Sequence, residues 1–275
     1  MRSLHLSLVA ALATLALLAT GSALAQEPDA EVQDPAASLG VTAPNPQPEP
    51  DNACYERDDL RCPDLRMGTP QQVYVQRTPA GRTLLRSRNR LQNRGAGPLS
   101  LHGERDADER SMRVRQRLYR DGARGHISQS THARLDFWRI PGQGGYWKVR
   151  NPVEFQVWTM GEGREMVLEG EKSRFCMRDL FRRTGEGPRR AIFPACAQDR
   201  SDRTNRQGIS VGWDESYPGG YFEQYVDVSG LRDGCYKLWH IADPNDRFDE
   251  SDETNNAAGR IFGLRGDRVR VGRCF

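Results

Sequence analysis

The feature that most constrains the fold is a set of short apolar runs in which every second residue is hydrophobic. The run containing Val153, Phe155 and Val157 is typical of them. Alternation with a period of two places the apolar side chains on one face of a β-strand. Turn-forming sequences such as residues 218–220, Pro-Gly-Gly, separate the runs. This organisation predicts an all-β fold, a β-sandwich with long loops and little helix.

The first 25 residues have the composition of a secretory signal peptide. Arg2 precedes an apolar run over residues 4–18, and the small residues Ala23 and Ala25 stand just before Gln26. The run is too short for a transmembrane helix, and no later stretch is long and apolar enough to cross a bilayer. We therefore expect a periplasmic or secreted protein without a membrane span.

The rest of the chain divides into a tether and one domain. Residues 26–53 are rich in Pro, Ala and acidic residues and contain almost no aromatic ones, so they bury too little apolar surface to offset the entropy of ordering. Residues 54–275 are long enough for one sizeable core and contain no internal linker or repeat. The prediction is a disordered tether followed by a single β domain.

Six cysteines indicate a disulfide framework, because disulfides persist in exported proteins. Six cysteines allow 15 pairings, and short spacing favours two of the bridges and leaves the last two cysteines for each other. A zinc site is the alternative, but no Cys-x-x-Cys pair or nearby histidine supports it. The predicted bridges are Cys54–Cys62, Cys176–Cys196 and Cys235–Cys274.

Charge gives little reason to expect nucleic acid as a partner, because the net charge is only +3. Almost all basic residues are arginines, and lysine stands at positions 148, 172 and 237. Two arginine trios alternate along predicted strands, so that each trio shares one sheet face. A solvated face is the first interpretation, and a patch for anionic envelope polymers is the alternative. The trios are Arg86, Arg88 and Arg90, and Arg113, Arg115 and Arg117.

Oxygen-bearing side chains concentrate in residues 250–256, Glu-Ser-Asp-Glu-Thr-Asn-Asn. Calcium prefers six to eight oxygen ligands from carboxylates, amides and carbonyls. The segment is not an EF-hand, because Arg247 and Phe248 stand where a loop starting at Asp243 needs an oxygen ligand and a glycine. From these residues alone, a solvated acidic β-turn is the alternative to a cation site.

Three motifs resemble those of the lysyl oxidase family. The Glu-Lys-Ser-Arg-Phe-Cys sequence that contains Lys172 is similar to the family's Lys-x-x-Phe-Cys motif. The segment from Gly208 to Tyr217 is similar to its Gly-(Ile/Leu)-Ser…Tyr motif, and residues 250–256 are similar to its Glu-Ser-Asp-x-Thr-Asn-Asn motif. The resemblance covers about residues 62–256 and implies a β-sandwich of the lysyl oxidase type.

The resemblance also implies a structural calcium ion. In the family this ion lies between the Glu-Ser-Asp turn and an Asp-Leu pair near the start of the domain, which corresponds here to Asp64 and Leu65. Such an ion would tie the first segment of the domain to its last strands. The implied ligands are side-chain oxygens of Asp64, Glu250, Asp252, Asn255 and Asn256 and the backbone carbonyl of Leu65.

The resemblance further implies the positions of an oxidase centre. Active members of the family oxidise primary amines, such as the ε-amine of lysine, with copper and a quinone cofactor built from their own Tyr and Lys. The quinone forms a Schiff base with the substrate, and a general base then removes a proton from the substrate carbon. Here Lys172 and Tyr217 stand at the two quinone-precursor positions.

The copper ligands of the family do not have counterparts in this sequence. Tyr146 and Lys148 stand where the paired histidines of a His-x-His motif are expected, and Arg139 or Gln143 stands at the upstream position. A protonated lysine or an arginine has no lone pair to give Cu(II), which prefers neutral imidazole. We therefore expect neither bound copper nor a lysine tyrosylquinone. The histidines that follow the predicted signal peptide, at positions 102, 126, 132 and 240, are scattered.

Two functions follow as hypotheses. The first is a secreted, catalytically degenerate module for binding or structure, stabilised by calcium and disulfides. Its polar, cationic cleft at Tyr146, Lys148, Lys172 and Tyr217 would accept an anionic ligand, and its partner would be an anionic envelope or extracellular polymer, or a protein. The alternative is an active copper-dependent protein-lysine 6-oxidase or primary-amine oxidase. Its copper ligands would be displaced, for example to His126 and His132 in a Ser/Thr-rich connection.

Overall fold

The alternating runs form strands, and the strands form four antiparallel sheets. The computed structural model describes residues 43–45, 51–122, 124–161, 164–170 and 173–275, which belong to one compact unit, Pro35–Phe275. The first strands along the described chain are β1 Leu60–Arg61, β2 Leu65–Met67, β3 Gln71–Arg77, β4 Thr83–Arg88, β5 Leu91–Asn93, β6 Leu99–Glu104, β7 Ser111–Arg120, β8 His126–Ile140, β9 Gly144–Arg150 and β10 Val153–Thr159. The later strands are β11 Met166–Glu169, β12 Arg174–Phe175, β13 Phe181–Arg182, β14 Thr204–Ile209, β15 Trp213–Glu215, β16 Tyr225–Asp227, β17 Gly234–Ala242, β18 Ala257–Arg265 and β19 Arg268–Val271.

The largest sheet has seven strands in the order β12-β9-β8-β7-β6-β14, with β1 also paired to β7. Its centre is the long hairpin of β7 and β8, in which Met112 lies opposite Leu135 and Leu118 opposite Ile127. The alternation in β7 is strict. Met112, Val114, Gln116 and Leu118 are buried, and the arginines between them point to the other face. The predicted arginine trio on this strand therefore shares one face, as the spacing requires.

The second sheet has five strands in the order β11-β10-β17-β18-β19. Strand β17 is buried almost throughout, because it pairs with β10 on one side and β18 on the other. The two smaller sheets have the orders β13-β15-β5-β2 and β16-β4-β3. All four sheets contribute to one apolar core, for example through Leu135, Phe155, Leu91 and Leu85. The predicted all-β class is confirmed.

Helix is scarce in the described part of the chain. A four-residue helix, α1 Ala53–Glu56, begins after Asn52, whose side chain accepts a hydrogen bond from the Cys54 N–H at 2.8 Å. A single 3-10 turn, Glu253–Asn255, lies between β17 and β18. Hydrogen bonds from Asn52 connect the two elements, so both short helical segments lie where the start of the domain contacts the loop between β17 and β18.

The six cysteines form three disulfides, and their pairing is the one predicted from spacing. Cys54–Cys62, Cys176–Cys196 and Cys235–Cys274 have Cα separations of 5.9, 5.8 and 5.2 Å. Since every cysteine is bonded, none is left for zinc. Bridges that close loops of this size contribute on the order of 2–4 kcal/mol each.

His126 and His132 do not lie in a connection, contrary to the prediction from the sequence. Both belong to β8, because the Ser/Thr-rich stretch around them is compatible with an extended strand on a half-exposed face.

The predicted signal peptide, residues 1–25, and Lys172 lie outside the described residues. Within the predicted tether, Asn45 accepts a hydrogen bond from the Ala257 N–H at 2.9 Å, so contact with the domain begins before Cys54.

Candidate functional site

The backbone around Tyr217 is fixed by a tight turn and by hydrogen bonds to two asparagines. Gly212, with a φ of +73°, reverses the chain before β15, and its N–H donates to the carbonyl of Asn93 at 3.0 Å. A side chain there would meet the Thr184 hydroxyl, so glycine is required for both conformation and space. Beyond β15, the N–H of Tyr217 donates to Oδ1 of Asn89 at 2.8 Å. The tyrosine therefore enters the core at a defined position.

The Tyr217 side chain is packed between aromatic rings and is only 8% exposed. Its ring stacks on Phe175 with a centroid distance of 4.5 Å and contacts Tyr221 at 4.6 Å. The hydroxyl donates to the Cys176 carbonyl at 3.3 Å and accepts from the Cys176 N–H at 3.1 Å. The Phe-Cys end of the first motif and the tyrosine of the Gly-Ile-Ser…Tyr motif therefore meet at this point, although Cys176 and Tyr217 are 41 residues apart.

Lys148 reaches the same place from β9. Its side chain is 1% exposed, and its Nζ donates to the Tyr221 hydroxyl at 3.0 Å and lies 3.4 Å from Oε2 of Glu223. The carboxylate of Glu223 is also 3.6 Å from Nη1 of Arg174. We call Lys148, Glu215, Tyr217, Tyr221 and Glu223 the tyrosine pocket.

Electrostatics in the tyrosine pocket are dominated by burial. Burial lowers the pKa of Lys148 and raises the pKa of Glu223, and each partner opposes the shift of the other. Burial, and then the Glu215 carboxyl, raise the pKa of Tyr217 well above its ordinary value, and burial followed by Glu223 and Glu215 raises that of Tyr221. Both phenols are therefore neutral at physiological pH.

Sequence reasoning missed Tyr221, Glu223 and Glu215 of the tyrosine pocket, and Glu215 is the most deeply buried of the three. It is 2% exposed, and burial raises its pKa to about 8, although Tyr217, Arg178 and Lys148 oppose that shift. Neither of its carboxyl oxygens has a geometrically good hydrogen bond within the described residues. All three residues of β15 are buried, so the strand has no alternation that would have marked Glu215 as unusual.

The donor set of the tyrosine pocket does not fit copper. A lysine nitrogen donates its protons to Tyr221, and Tyr146, the other position of the expected histidine pair, donates its hydroxyl to the Gln143 carbonyl at 2.9 Å. His126 and His132 are six residues apart on β8, which separates them by about 20 Å along the strand. They cannot share one ion.

The other two histidines of the described chain are held as neutral side chains. Burial lowers the pKa of His240 to about 3, and its Nε2 lies 2.9 Å from the Ser87 hydroxyl. Burial, followed by the charges of Arg117 and Arg206, lowers the pKa of His102 to about 4. Neither lies among the residues of the tyrosine pocket.

The second candidate region is the acidic turn, which we define as residues 250–256. Its centre is buried: Glu250, Glu253 and Asn256 are each 0% exposed. The amide nitrogen of Asn256 donates to Glu250 at 3.2 Å and to Glu253 at 3.3 Å. Burial and the neighbouring carboxylates raise the pKa of both glutamates. Such a cluster of acidic oxygens needs protons or a cation for neutrality.

Several oxygens of this region lack a hydrogen-bond donor within the described residues. Oδ1 of Asn255, Oδ1 of Asn256 and Oδ1 of Asp243 are all buried without a partner. Unpartnered amide and carboxylate oxygens are the groups that calcium binds. The residues present therefore fit a calcium ion.

The start of the domain contacts the acidic turn through Leu65 and Pro63. The N–H of Leu65 donates to Glu250, and the carbonyl of Leu65 points to the same side, because both groups of one strand residue face the same edge. The carbonyl of Pro63 accepts from the Ser251 N–H at 2.9 Å. Asp64, however, forms an ion pair with Arg66, with 2.6 Å between Nη2 and Oδ2.

Carboxylates alone do not complete a metal site in this region. No three His, Cys, Asp or Glu side chains in the described part of the chain converge in a geometry that could hold a metal ion. A cation at the acidic turn must therefore draw on asparagine and backbone oxygens as well.

Sequence reasoning missed Asn52, Asp243 and Glu253 in this region, although Glu253 lies inside the motif. Asn52 donates to the Glu250 carbonyl and to Glu253, both at 3.1 Å.

Comparison with known proteins decides the family. The sequence model of the lysyl oxidase family matches residues 104–274. The chain belongs to the lysyl oxidase family. The matched range includes Lys172, Tyr217 and the acidic turn, and it begins after Asp64 and Leu65.

Two lysyl oxidase homologs illustrate how far the similarity extends. The chain is 31% identical to human lysyl oxidase homolog 3 over 113 residues, which are 39% of this chain and 13% of the human protein. It is 32% identical to zebrafish lysyl oxidase homolog 3B over 108 residues, 39% of this chain and 12% of that protein. The match thus covers about an eighth of the relatives' length. Among the described residues, no helix has the length and apolar character needed to span a membrane.

Proposed function

We propose that this protein is a catalytically degenerate lysyl oxidase-like module that binds a ligand or partner and does not oxidise amines. The observation that carries the proposal is the position of Lys148. Its buried ammonium lies 3.0 Å from Tyr221 and 3.4 Å from Glu223, where the family resemblance calls for imidazole. The Lys148 ammonium already has Tyr221 and Glu223 as partners, so it takes the place that a metal cation would need in this pocket.

Physical arguments support the exclusion of copper from this position. A protonated amine offers no lone pair, and the neutral phenols of Tyr217 and Tyr221 are poor ligands because burial raises their pKa values. Repulsion between the ammonium and Cu(II) would cost about 4 kcal/mol per pair of unit charges at 4 Å and an effective dielectric of 20. Without copper, Tyr217 remains a tyrosine and Lys172 remains an amine.

The proposal includes a structural calcium ion at the acidic turn. Its ligands would be Glu250, Asp252, Asn255, Asn256, Asp64 and the Leu65 carbonyl. Support comes from the buried oxygens of Asn255 and Asn256 that have no donor. Arg66 would have to share or release the Asp64 carboxylate when the ion binds. The ion would neutralise buried carboxylates that otherwise oppose folding.

We further propose that the module works outside the cytoplasm. Three disulfides in a domain of this size are typical of oxidising compartments. Residues 1–25 have the composition of a secretory signal. A periplasmic or secreted location suits partners such as anionic envelope or extracellular polymers, or a protein. The near-neutral net charge gives no support to nucleic acid as the partner.

The experiment is metal and cofactor analysis of the purified, disulfide-bonded protein after exposure to copper and air. We expect no stoichiometric copper by mass spectrometry of metals, no quinone absorbance and no peroxide release from n-butylamine. Tryptic peptide mapping should recover Lys172 and Tyr217 in separate, unmodified peptides. Human lysyl oxidase homolog 3, treated in parallel, is the reference protein for the assay.

The rival function, a copper-dependent amine oxidase, predicts the opposite in each measurement. Stoichiometric copper, a cross-linked Lys172–Tyr217 peptide and peroxide released on addition of the amine would establish it. Either of the first two results, without the third, would still overturn the claim that Lys148 excludes copper.

A further inference from the structure

An arginine-rich cleft lies at the end of the seven-stranded sheet, and neither the tyrosine pocket nor the acidic turn includes it. Its volume is about 490 Å³, which is within the usual range for small-molecule sites. Five arginines and three carboxylates line it, an excess of two positive charges. We call it the arginine cleft, and its arginines are Arg105, Arg110, Arg150, Arg174 and Arg200.

Several donors in the arginine cleft have no acceptor. Nε of Arg174 and Nε1 of Trp138 are buried without a hydrogen-bond partner in the described part of the chain. Arg110 and Arg200 are exposed, and neither guanidinium takes part in a hydrogen bond or ion pair with another described residue. Buried donors that lack a partner are costly, and they mark places where an acceptor is expected.

Arg105 holds together the two loops that form the rim of the cleft, through hydrogen bonds to backbone carbonyls of both. Nε of Arg105 donates to the Asp202 carbonyl at 2.9 Å, and its terminal nitrogens donate to the carbonyls of Glu109 at 2.8 Å and Arg200 at 3.0 Å. Its guanidinium also lies over the Trp147 ring at 5.3 Å. Arg110 and Arg200 are therefore held on neighbouring loops at one opening.

The carboxylates of the cleft do not cancel this positive charge. Asp136 is occupied by Arg150, through bonds of 2.7 and 2.9 Å, and by the Ser111 hydroxyl at 2.7 Å. Glu109 is hydrogen-bonded to Arg113, which does not line the cleft. Asp108 is exposed to solvent. The unpaired guanidiniums of Arg110 and Arg200 thus face the opening without a fixed counter-charge among the described residues.

We propose that the arginine cleft binds a ligand bearing oxyanion groups, either phosphate or carboxylate. Guanidinium forks match the planar or tetrahedral oxygens of these groups and bind them more tightly than neutral acceptors. Arg110 and Arg200 would contact the anion from the two loops, and Arg174 and Trp138 would donate from the floor. The inference rests on the proposed binding role, and it names the chemistry of the ligand.

The geometry also explains why the anion would not bind in the tyrosine pocket. The Lys148 ammonium is 1% exposed and already has Tyr221 and Glu223 as partners. Arg174 joins the two sites, since its Nη1 lies 3.6 Å from Glu223 and its guanidinium 4.1 Å from the Trp138 ring. The accessible positive charge is on the cleft side of that arginine.

The test is calorimetric titration of the full disulfide-bonded protein with pyrophosphate and, separately, with citrate, at low and moderate salt. The variant Arg110→Ala/Arg200→Ala removes two exposed guanidiniums and should fold normally. We expect it to weaken binding at least tenfold, with little change in the melting temperature. Arg268→Ala, which removes an exposed arginine from β19 in another sheet, is the matched control and should bind like wild type.

The two probes identify the source of the oxyanion. Preference for pyrophosphate supports a phosphate-bearing ligand, and preference for citrate supports a carboxylate-bearing one. The proposal is overturned if neither probe binds at millimolar concentration, or if Arg268→Ala weakens binding as much as the double variant. Arg115 and Arg117 line a second cleft of the same sheet. The proposal would also be overturned if Arg115→Ala/Arg117→Ala lost binding while Arg110→Ala/Arg200→Ala bound like wild type. Amine-dependent peroxide release would instead contradict the proposed function, so the two failures are distinguishable.

Discussion

The ammonium nitrogen of Lys148, a side chain that is 1% exposed, lies 3.0 Å from the hydroxyl of the half-buried Tyr221. Tyr221 in turn contacts the ring of Tyr217 at 4.6 Å. A single aromatic ring therefore separates the lysine from the position where the family builds its quinone. The positive charge in this pocket is the ammonium of Lys148, and the carboxylate of Glu223 is its counter-charge.

Replacement of Lys148 by methionine should destabilise the protein by about 2–4 kcal/mol. Removal of one member of a buried ion pair leaves the other charge without compensation. Arg174, 3.6 Å from Glu223, supplies part of that compensation and keeps the loss below the upper limit. Urea denaturation followed by tryptophan fluorescence gives the change in the free energy of unfolding.

A double-mutant cycle separates the ion pair from the packing of the lysine stem. Lys148→Met/Glu223→Gln should recover at least half of the stability lost in Lys148→Met, since no charge is then left buried alone. Equal stability losses in the single and double variants would mean that Glu223 is not the counter-charge.

The contribution of Glu215 to the free energy of unfolding should fall as the pH rises from about 4.5 to about 8. Burial raises the pKa of this carboxyl from 4.5 to about 8, so the folded protein retains a proton that the unfolded chain releases. The stabilisation from this proton is complete below about pH 4.5 and is lost as the pH rises through about 8. In Glu215→Gln the side chain is neutral throughout. The free-energy difference between wild type and variant, measured by urea denaturation, should therefore decline steadily over that range.

A pH-independent difference between wild type and Glu215→Gln would contradict the raised pKa of Glu215. Glu104→Gln, at an exposed position on β6, is the control for changes in net charge. Its difference from wild type should stay near zero at every pH.

The sequence predicted local features well and distant contacts poorly. Strand alternation depends on neighbouring residues, so β7 and β10 were predictable from their apolar residues. The disulfides followed from spacing, because short loops close at the lowest entropic cost. In contrast, Tyr221 and Glu223 lie 73 and 75 residues along the chain from Lys148, and nothing in the sequence around Lys148 indicates that they are its partners.

Composition alone predicts the wrong structure for one stretch of the chain. The stretch around His126 and His132 is rich in Ser and Thr, which suggests a loop, yet it forms the first half of β8. Hydroxyl side chains suit a half-exposed strand, and Thr131 donates its hydroxyl to the Val114 carbonyl at 2.8 Å across the hairpin. Pairing with β7, a tertiary contact, decided the structure.

The sequence motif predicted the acidic turn, but not the burial of Glu253 within it.

Chelation should lower the melting temperature of the protein if calcium binds at the acidic turn. A ligand present at 100 times its Kd stabilises by about 2.7 kcal/mol, which corresponds to roughly 5–10 °C for a domain of this size. Differential scanning fluorimetry in EGTA, before and after addition of calcium, measures this shift.

The variant Asn256→Leu tests whether the shift comes from the acidic turn. It removes an oxygen without a donor and an amide that bonds two glutamates, so we expect a lower melting temperature and no response to calcium. Glu104→Gln should respond like wild type. An unchanged calcium response in Asn256→Leu would place the ion elsewhere.

Copper binding should appear when imidazoles replace the side chains that now prevent it. Tyr146 and Lys148 are two residues apart on β9 and therefore project from the same face, so histidines at both positions could share one ion. We expect the triple variant Gln143→His/Tyr146→His/Lys148→His to show a cupric signal by electron paramagnetic resonance. Wild type and Lys148→Met should show none, because the methionine removes the charge without adding a nitrogen ligand. Copper bound equally by wild type and the triple variant would mean that the ion does not depend on residue 148, and the explanation based on the Lys148 ammonium would then fail.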